Sequence, residues 1–224
     1  IQVFAWIATI MIGRRVQFNV PTLFTIGFLI IFTMRGLTGV MVAMVPFDWQ
    51  VHDTHFIVAH LHYVLIGGAV LPMFAAFYYW FPMISRRPLS ERIGKWVFWL
   101  MFAGVHLTFL PMHLTGFMGM PRRVYTYLPS SEWAAPNFLS TIGAFVLGAG
   151  IALFLFDLAR NFRFAVAGNA GNVYHGGTLE WLPRGLYSAG SIPVVRSREP
   201  LWADPRLCDD VENGRYLLPG SATG

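Results

Sequence analysis

Four runs of mostly apolar residues, at about 20–45, 55–84, 93–118 and 137–158, are each long enough to cross a bilayer, which takes about 20 such residues. Inside lipid the backbone has no water to bond, so every N–H and C=O must be satisfied internally, and runs of this length do so as helices. The fold class follows: an all-α, polytopic transmembrane bundle. Composition agrees, with 12% charged residues against about a quarter in a typical soluble domain. Each run is bounded by Pro, Gly or charge. The last, STIGAFVLGAGIALFLF, carries small residues suited to close helix packing. Residues 1–12 are also apolar, with neither an initiator Met nor a basic stretch before them, and read as the end of a membrane helix rather than a signal peptide. Residues 1–163 therefore form the membrane part. Residues 164–224 contain Gly, Pro and Arg without clear period and read as an extra-membrane tail.

The basic residues orient these spans. The first connection carries Arg14 and Arg15, the third Arg86, Arg87, Arg92 and Lys95, and the tail begins with Arg160 and Arg163. The second connection, 46–54, has no Lys or Arg. The positive-inside rule puts the odd connections and the tail in the cytoplasm. Arg122 and Arg123, in the fourth connection, break the rule and call for a local anionic partner. The net charge of +5 is scattered in short clusters, which argues against nucleic acid as a partner. The single cysteine, Cys208, excludes a disulfide framework and any cysteine-based zinc or iron–sulfur site.

Four of the seven histidines fall within VHDTHFIVAHLHYV: His52, His55, His60 and His62. A lone His on an apolar face is usually a hydrogen-bonded core residue, but ionisable groups gathered inside a membrane tend to be functional. On a helix, positions i and i+2 lie about 200° apart, so His60 and His62 face opposite ways and suit two centres rather than one. No HExxH pair occurs. Imidazole is a common axial ligand of haem iron, and two haems flanking this helix is the sharp reading. Upstream, His52 and Asp53, with Asp48 four residues before His52, suit a small divalent ion such as Mg²⁺ or Mn²⁺. Capping of the helix by Asp53 or Thr54 is an equal alternative on local grounds. For Arg122 and Arg123, the two propionates of a haem would supply the missing carboxylates, which guanidinium groups bind in a bidentate manner.

Together these residues resemble a known family. His52-Asp53-Thr54 followed by His60-Leu61-His62-Tyr63-Val64 is similar to the helix X signature of haem–copper oxidase subunit I. Gly119-Met120-Pro121-Arg122-Arg123 resembles its propionate-binding loop. Phe4-Ala5-Trp6-Ile7-Ala8-Thr9, Gly36-Leu37-Thr38-Gly39, Trp80-Phe81-Pro82 and Thr178-Leu179-Glu180-Trp181 add to the match, in family order as far as Trp202.

The resemblance implies an aa3-type bacterial cytochrome c oxidase in the inner membrane, with the spans as the end of helix VIII through helix XII. It implies that His60 is the catalytic, proximal ligand of high-spin haem a3 and His62 an axial ligand of low-spin haem a. His52 and Asp53 would hold Mg, and Asp48, Arg122 and Arg123 would form the propionate region. The Cu_B ligands, the second low-spin ligand and the proton-channel acids belong to earlier helices, so the chain would act only with the rest of subunit I, with subunits II and III, and with cytochrome c, oxygen and the lipid bilayer. The tail resembles the cytoplasmic extension of bacterial subunit I, through Pro193-Val194-Val195 and Pro200-Leu201-Trp202, and in some bacteria such an extension leads into a fused subunit III. Two departures stand out: Leu61 where Phe is common, and Arg35 where a small residue is usual. A quinol oxidase, a nitric oxide reductase and a His-lined transporter are the competing readings; Asp53-Thr54 and Tyr63 favour cytochrome c over quinol.

A cysteine placed at Ser130 should react with a membrane-impermeant maleimide added from outside, and one at Ser90 should not; the reverse pattern would overturn the orientation.

Overall fold

The computed structural model describes residues 1–12, 16–165, 168–182, 195 and 197–212. Arg14 and Arg15 of the first connection, and Pro193 and Val194 of the tail, lie outside the described residues. The described residues form helices and turns, with two isolated backbone bridges, Thr54 to Pro121 and Ser85 to Phe164. In chain order the helices are α1 (Gln2–Ile12), α2 (Val20–Ala43), α3 (Val45–Val51), α4 (His55–His62), α5 (Leu71–Trp80), α6 (Glu91–Phe117), α7 (Ala134–Asn161), α8 (Pro200–Ala203) and α9 (Leu207–Glu212). Four continuous helical stretches are long and apolar enough to cross a membrane: Val20–Ala43, His55–Met83, Glu91–Phe117 and Ala134–Asn161. They are the four apolar runs.

Local chemistry sets the helix starts. Asn19 caps α2 by accepting from the Thr22 amide at 3.1 Å, and Pro21 opens its first turn, where a missing N–H costs nothing. Ser90 caps α6 by accepting from Ile93 at 3.4 Å. The Val20 amide donates to Glu91 Oε1 at 2.8 Å, so α2 and α6 begin at the same end of the bundle. At the opposite end the His55 amide donates to the Met120 carbonyl at 2.9 Å, which places the start of α4 beside the exit of α6. The starts of α2 and α6 thus lie at one end of the bundle and the start of α4 at the other.

Two stretches differ from a simple run-and-loop pattern. The run through residue 45 stops at Met44, and Pro46 starts a separate short helix, α3, inside what reads from sequence as a connection. The 55–84 span is not one regular α-helix. Tyr63–Val70 is wound as a wider π-helix between α4 and α5, and Phe81–Met83 tightens to a 3₁₀ turn. Glycines give the π segment its neighbours: a Cβ on Gly68 would lie 2.6 Å from Arg35 Nη1, and Gly67 is packed against Ile31. π-helical turns are frequent at functional sites.

Between helices in lipid there is little hydrophobic drive, so close van der Waals packing must hold them together. The small residues of α7 meet that need. A Cβ on Gly104 of α6 would stand 2.6 Å from the Leu147 amide nitrogen of α7, and one on Gly150 would stand 2.9 Å from Met101 Cγ. At the α6 start, the Ser90 amide donates to buried Asp157 of α7 at 3.0 Å. Phe24 of α2, fully buried, stacks on Phe74 at 5.5 Å and meets Phe98 edge-on at 5.2 Å.

The chain divides into two compact units, Ile1–Phe77 with Ser90–Ala159, and Tyr78–Leu89 with Arg160–Gly224. In the second, Ser85 Oγ accepts from the Arg163 amide at 3.1 Å, Asn169 donates to the Met83 carbonyl at 3.0 Å, and Trp181 Nε1 donates to Tyr79 Oη at 3.0 Å. The Thr178–Trp181 motif is thereby fixed to the Tyr78–Leu89 segment. The first unit contains the candidate site.

Gly104→Val should destabilise the detergent-solubilised protein by about 1–3 kcal/mol, the range for overpacking. Thermal unfolding of the purified complex, beside Gly148→Val, measures it; a Cβ at Gly148 meets nothing within 4 Å.

Candidate functional site

Helix α4 lies between α2 and α6, and its histidines divide between them. Phe56 and Ala59 form its buried side, which Tyr63 continues at the start of the π segment. His60 turns to α2: its Nδ1 lies 2.8 Å from Thr38 Oγ1, and a Cβ on Gly39 would sit 3.3 Å from His60 Cε1. His62 turns to α6, where its ring stacks on Phe109 with centroids 4.7 Å apart and planes 15° from parallel. Between them Leu61 and Leu65 are half exposed.

The hydrogen bonds select the tautomer of each ring. Thr38 Oγ1 donates its proton to the Arg35 carbonyl at 3.0 Å, so toward His60 it is an acceptor, and His60 carries its proton on Nδ1. His62 Nδ1 faces the Val58 carbonyl at 2.7 Å, a group that only accepts, and it too must be Nδ1–H. Both rings therefore present a bare Nε2 lone pair, with the second nitrogen held by an oxygen acceptor. Metal-binding imidazoles have this arrangement, in which the outer hydrogen bond orients the ring and raises its basicity. Two haem irons, one per histidine, fit the donor set. Sequence spacing indicates the opposed faces; it gives no sign of Thr38, which is part of the Gly36-Leu37-Thr38-Gly39 motif but is far from His60 along the chain.

A tight junction covers the end of α4. Thr54 caps the helix by accepting from the Phe56 amide at 3.3 Å, which decides between the two capping candidates. The loop after α6 folds over it: Thr54 bridges to Pro121, the Arg122 amide donates to the Asp53 carbonyl at 2.8 Å, and Arg122 Nη2 donates to Asp53 Oδ1 at 2.7 Å. His55 adds a side-chain tie, with Nδ1 3.0 Å from Thr115 Oγ1. Asp53 (φ 57°) and Arg123 (φ 66°) both occupy the left-handed backbone region. For Arg that conformation costs roughly 1–2 kcal/mol, and such strain gathers at functional sites. Composition and spacing carry no signal of it.

The acids and bases beside this junction are more exposed. His52 Nδ1 is 3.4 Å from Asp48 Oδ2, and Nε2 is 3.8 Å from Asp53 Oδ1. Among the described residues no group of three or more His, Cys, Asp or Glu stands close enough to hold a metal ion. The Asp53 oxygen facing His52 is also the one bound by Arg122. A divalent ion therefore does not fit this chain by itself. Arg122 has a partner in its own chain: the Asp53 carboxylate takes one part of its fork. Arg123 is exposed, with no ion pair among the described residues.

Comparison with known proteins follows the same residues. The family model described as "Cytochrome C and Quinol oxidase polypeptide I" matches residues 1–146. The chain belongs to that family. It is 42% identical over 205 residues to cytochrome c oxidase subunit 1 of Alkalihalophilus pseudofirmus, covering 90% of this chain and 33% of that protein. It is 39% identical over 204 residues to quinol oxidase subunit 1 of Bacillus subtilis, covering 89% of this chain and 31% of that one. With cytochrome c oxidase subunit 1 of Synechocystis it shares 41% over 232 residues, 99% of this chain and 40% of the relative. The chain thus spans about a third of the length of these relatives. A solved heme-copper terminal oxidase dimer has the same fold over 63% of this chain and 26% of its own, with a TM-score of 0.58 at 24% identity. The family is that of the haem–copper oxidases, membrane oxidoreductases, and both cytochrome c and quinol oxidases are among its members.

Because Asp53 is left-handed, Asp53→Gly should be less destabilising than Asp53→Ala by about 1–2 kcal/mol, although both lose the ion pair. Equal melting temperatures for the two variants would show that the backbone there is unstrained.

Proposed function

We propose that this chain is the C-terminal half of subunit I of a bacterial aa3-type cytochrome c oxidase. In the whole enzyme, electrons from cytochrome c reduce oxygen to water while protons are pumped. The observation that carries this reading is the pair of bare Nε2 atoms on opposed sides of one helix, each with its Nδ1–H held by an oxygen. His60 would hold the iron of high-spin haem a3, and His62 would be one of two axial ligands of low-spin haem a. The haems supply the one-electron and oxygen chemistry when bound.

The chain's own residues orient and insulate. Thr38 and the Val58 carbonyl fix the ring planes. Leu61 and Leu65 make the strip between the two ligands apolar. Arg122 has five N–H donors, of which Asp53 uses one edge, so the rest of the fork and Arg123 remain for haem propionates. Their charge would offset the carboxylates where the positive-inside rule leaves arginine unexplained. His52 and Asp53 would hold Mg only with further ligands from subunit II. The Cu_B ligands and the other axial histidine would come from the upstream part of subunit I. Partners on this reading are the rest of subunit I, subunits II and III, and cytochrome c. The protein would lie in the bacterial inner membrane with residues 164–224 in the cytoplasm, an orientation supported by the arginines of alternate connections.

Quinol as donor is the second reading, favoured by the Bacillus subtilis quinol oxidase at 39% identity. Against it stand Asp53-Thr54 and Tyr63, which resemble the cytochrome c branch. Turnover of the whole enzyme with ferrocytochrome c, compared with a soluble quinol, separates the two.

In the purified whole enzyme, His62→Ala should abolish the low-spin haem signal. His60→Ala should abolish carbon monoxide binding at the high-spin haem and leave the low-spin band. Optical spectra with both features intact in either variant would defeat the ligand assignment.

A further inference from the structure

Arg35 lies well inside α2, and it is the only Asp, Glu, Lys or Arg side chain in the spans Val20–Ala43 and His55–Met83. A cation near the centre of a membrane helix costs about 2.5–3.5 kcal/mol on insertion scales unless it is paired. No carboxylate pairs with Arg35 among the described residues. The guanidinium is nevertheless held in place. Nη1 donates to the Val64 carbonyl at 3.1 Å, and the guanidinium carbon lies 3.9 Å from the Phe32 ring centroid, within cation–π reach. Gly68 makes the room: a Cβ there would stand 2.6 Å from Nη1. The proposed function gives this fixed charge no task.

Contacts between α2 and the His55–Met83 span set its level. Gly39 faces His60, Arg35 faces Val64, Ile31 packs on Gly67 and Phe24 stacks on Phe74. The two helices therefore run antiparallel, and Arg35 meets the turn just after the histidines. Val64 follows His60 by four residues and His62 by two. On a helix the first spacing keeps one face and the second reverses it. The guanidinium is thus on the His60 side, about one turn along, and its charge acts on the His60 ring.

We propose, on the ligand reading given above, that Arg35 raises the reduction potential of the haem iron held by His60, as a fixed positive charge on that ligand's side of the helix. The electron is the one that turnover delivers to this iron, ferric becoming ferrous; no bond forms or breaks in the protein. A neighbouring cation opposes the more highly charged ferric state and so favours the reduced one. Apolar side chains and lipid screen that charge far less than water and salt would. At the effective dielectric of about 20 that describes buried sites, a unit charge roughly 12 Å away shifts a one-electron equilibrium about tenfold. His62 presents the opposite face, so its iron should feel the charge less. A carboxylate partner would cancel the effect; the Val64 carbonyl and the Phe32 ring hold the cation without neutralising it.

Spectroelectrochemical titration of the purified whole enzyme tests this, with each haem followed at its own band. Arg35→Gln removes the charge but keeps an N–H donor for the Val64 carbonyl, whereas Arg35→Lys keeps the charge and loses the planar fork. In Arg35→Gln the high-spin equilibrium should shift about tenfold toward ferric iron, a midpoint lower by about 59 mV for a one-electron couple. The low-spin haem should shift by less than about threefold, and Arg35→Lys should leave both haems within about threefold of the unaltered enzyme. Arg35→Met takes the place of Arg35→Gln if that variant does not assemble. An unchanged high-spin midpoint in the neutral variant, a fall as large in Arg35→Lys, or a low-spin shift as large as the high-spin one would overturn the proposal. Failure of the ligand reading shows separately, as carbon monoxide binding that survives in His60→Ala.

Discussion

The junction between residues 53–55 and 120–122 is the contact on which the arrangement of the bundle depends. Two helices that cross a membrane in opposite senses gain little from apolar contact alone to fix their relative height. Here the Met120 carbonyl takes the His55 amide, the Asp53 carbonyl takes the Arg122 amide, and the side chains of the same two residues form an ion pair. Each bond satisfies a group at a helix end that would otherwise face the membrane boundary unpaired. Arg122 and Asp53 are partly exposed, so the ion pair by itself contributes little, at most about 1 kcal/mol. Its value is geometric: backbone and side-chain bonds together permit one register of α4 against α6. That register determines which side chains of α6 the two histidines meet.

Much of this was legible in the sequence because lipid imposes so few solutions. Run lengths gave the spans, and a spacing of two on a helix gave opposed faces for His60 and His62. The small residues of α7 do meet α6 at Gly104 and Gly150, as their composition suggested. The features that stayed hidden all depend on partners distant in the chain or on backbone conformation. Thr38 holds His60 across two helices. The Arg122–Asp53 ion pair joins residues separated along the chain by α4, α5 and α6. Residues 63–70 widen to a π-helix that no periodicity of apolar residues marks, because every side of that stretch is apolar. The positive φ of Arg123 is invisible too, since Arg is a residue that avoids it. The helix inside the 46–54 connection is a different case: Pro46 lies in its first turn, but a segment so short and so close to a span end reads as a loop.

The second unit shows how the tail acquires structure with only a small core of its own. Residues 168–182 gain order by donating to carbonyls and hydroxyls of the Tyr78–Leu89 segment, as Asn169 does to Met83 and Trp181 to Tyr79. Its cluster of Leu182 and Leu207 is small. A tail built this way depends on polar contacts with one helix end, and its composition, poor in apolar runs, is what such contacts require.

The π segment has one more consequence. An α-helix conserves angular phase: once one side chain's direction is fixed, every later one follows at 100° per residue. A widened turn breaks that rule, because it takes in an extra residue without an equal rotation. The end of the span bearing the histidines and the end packed through Phe74 are therefore two rotors on one shaft, each able to settle its own azimuth. Evolution can repack α5 against its neighbours without turning the imidazoles.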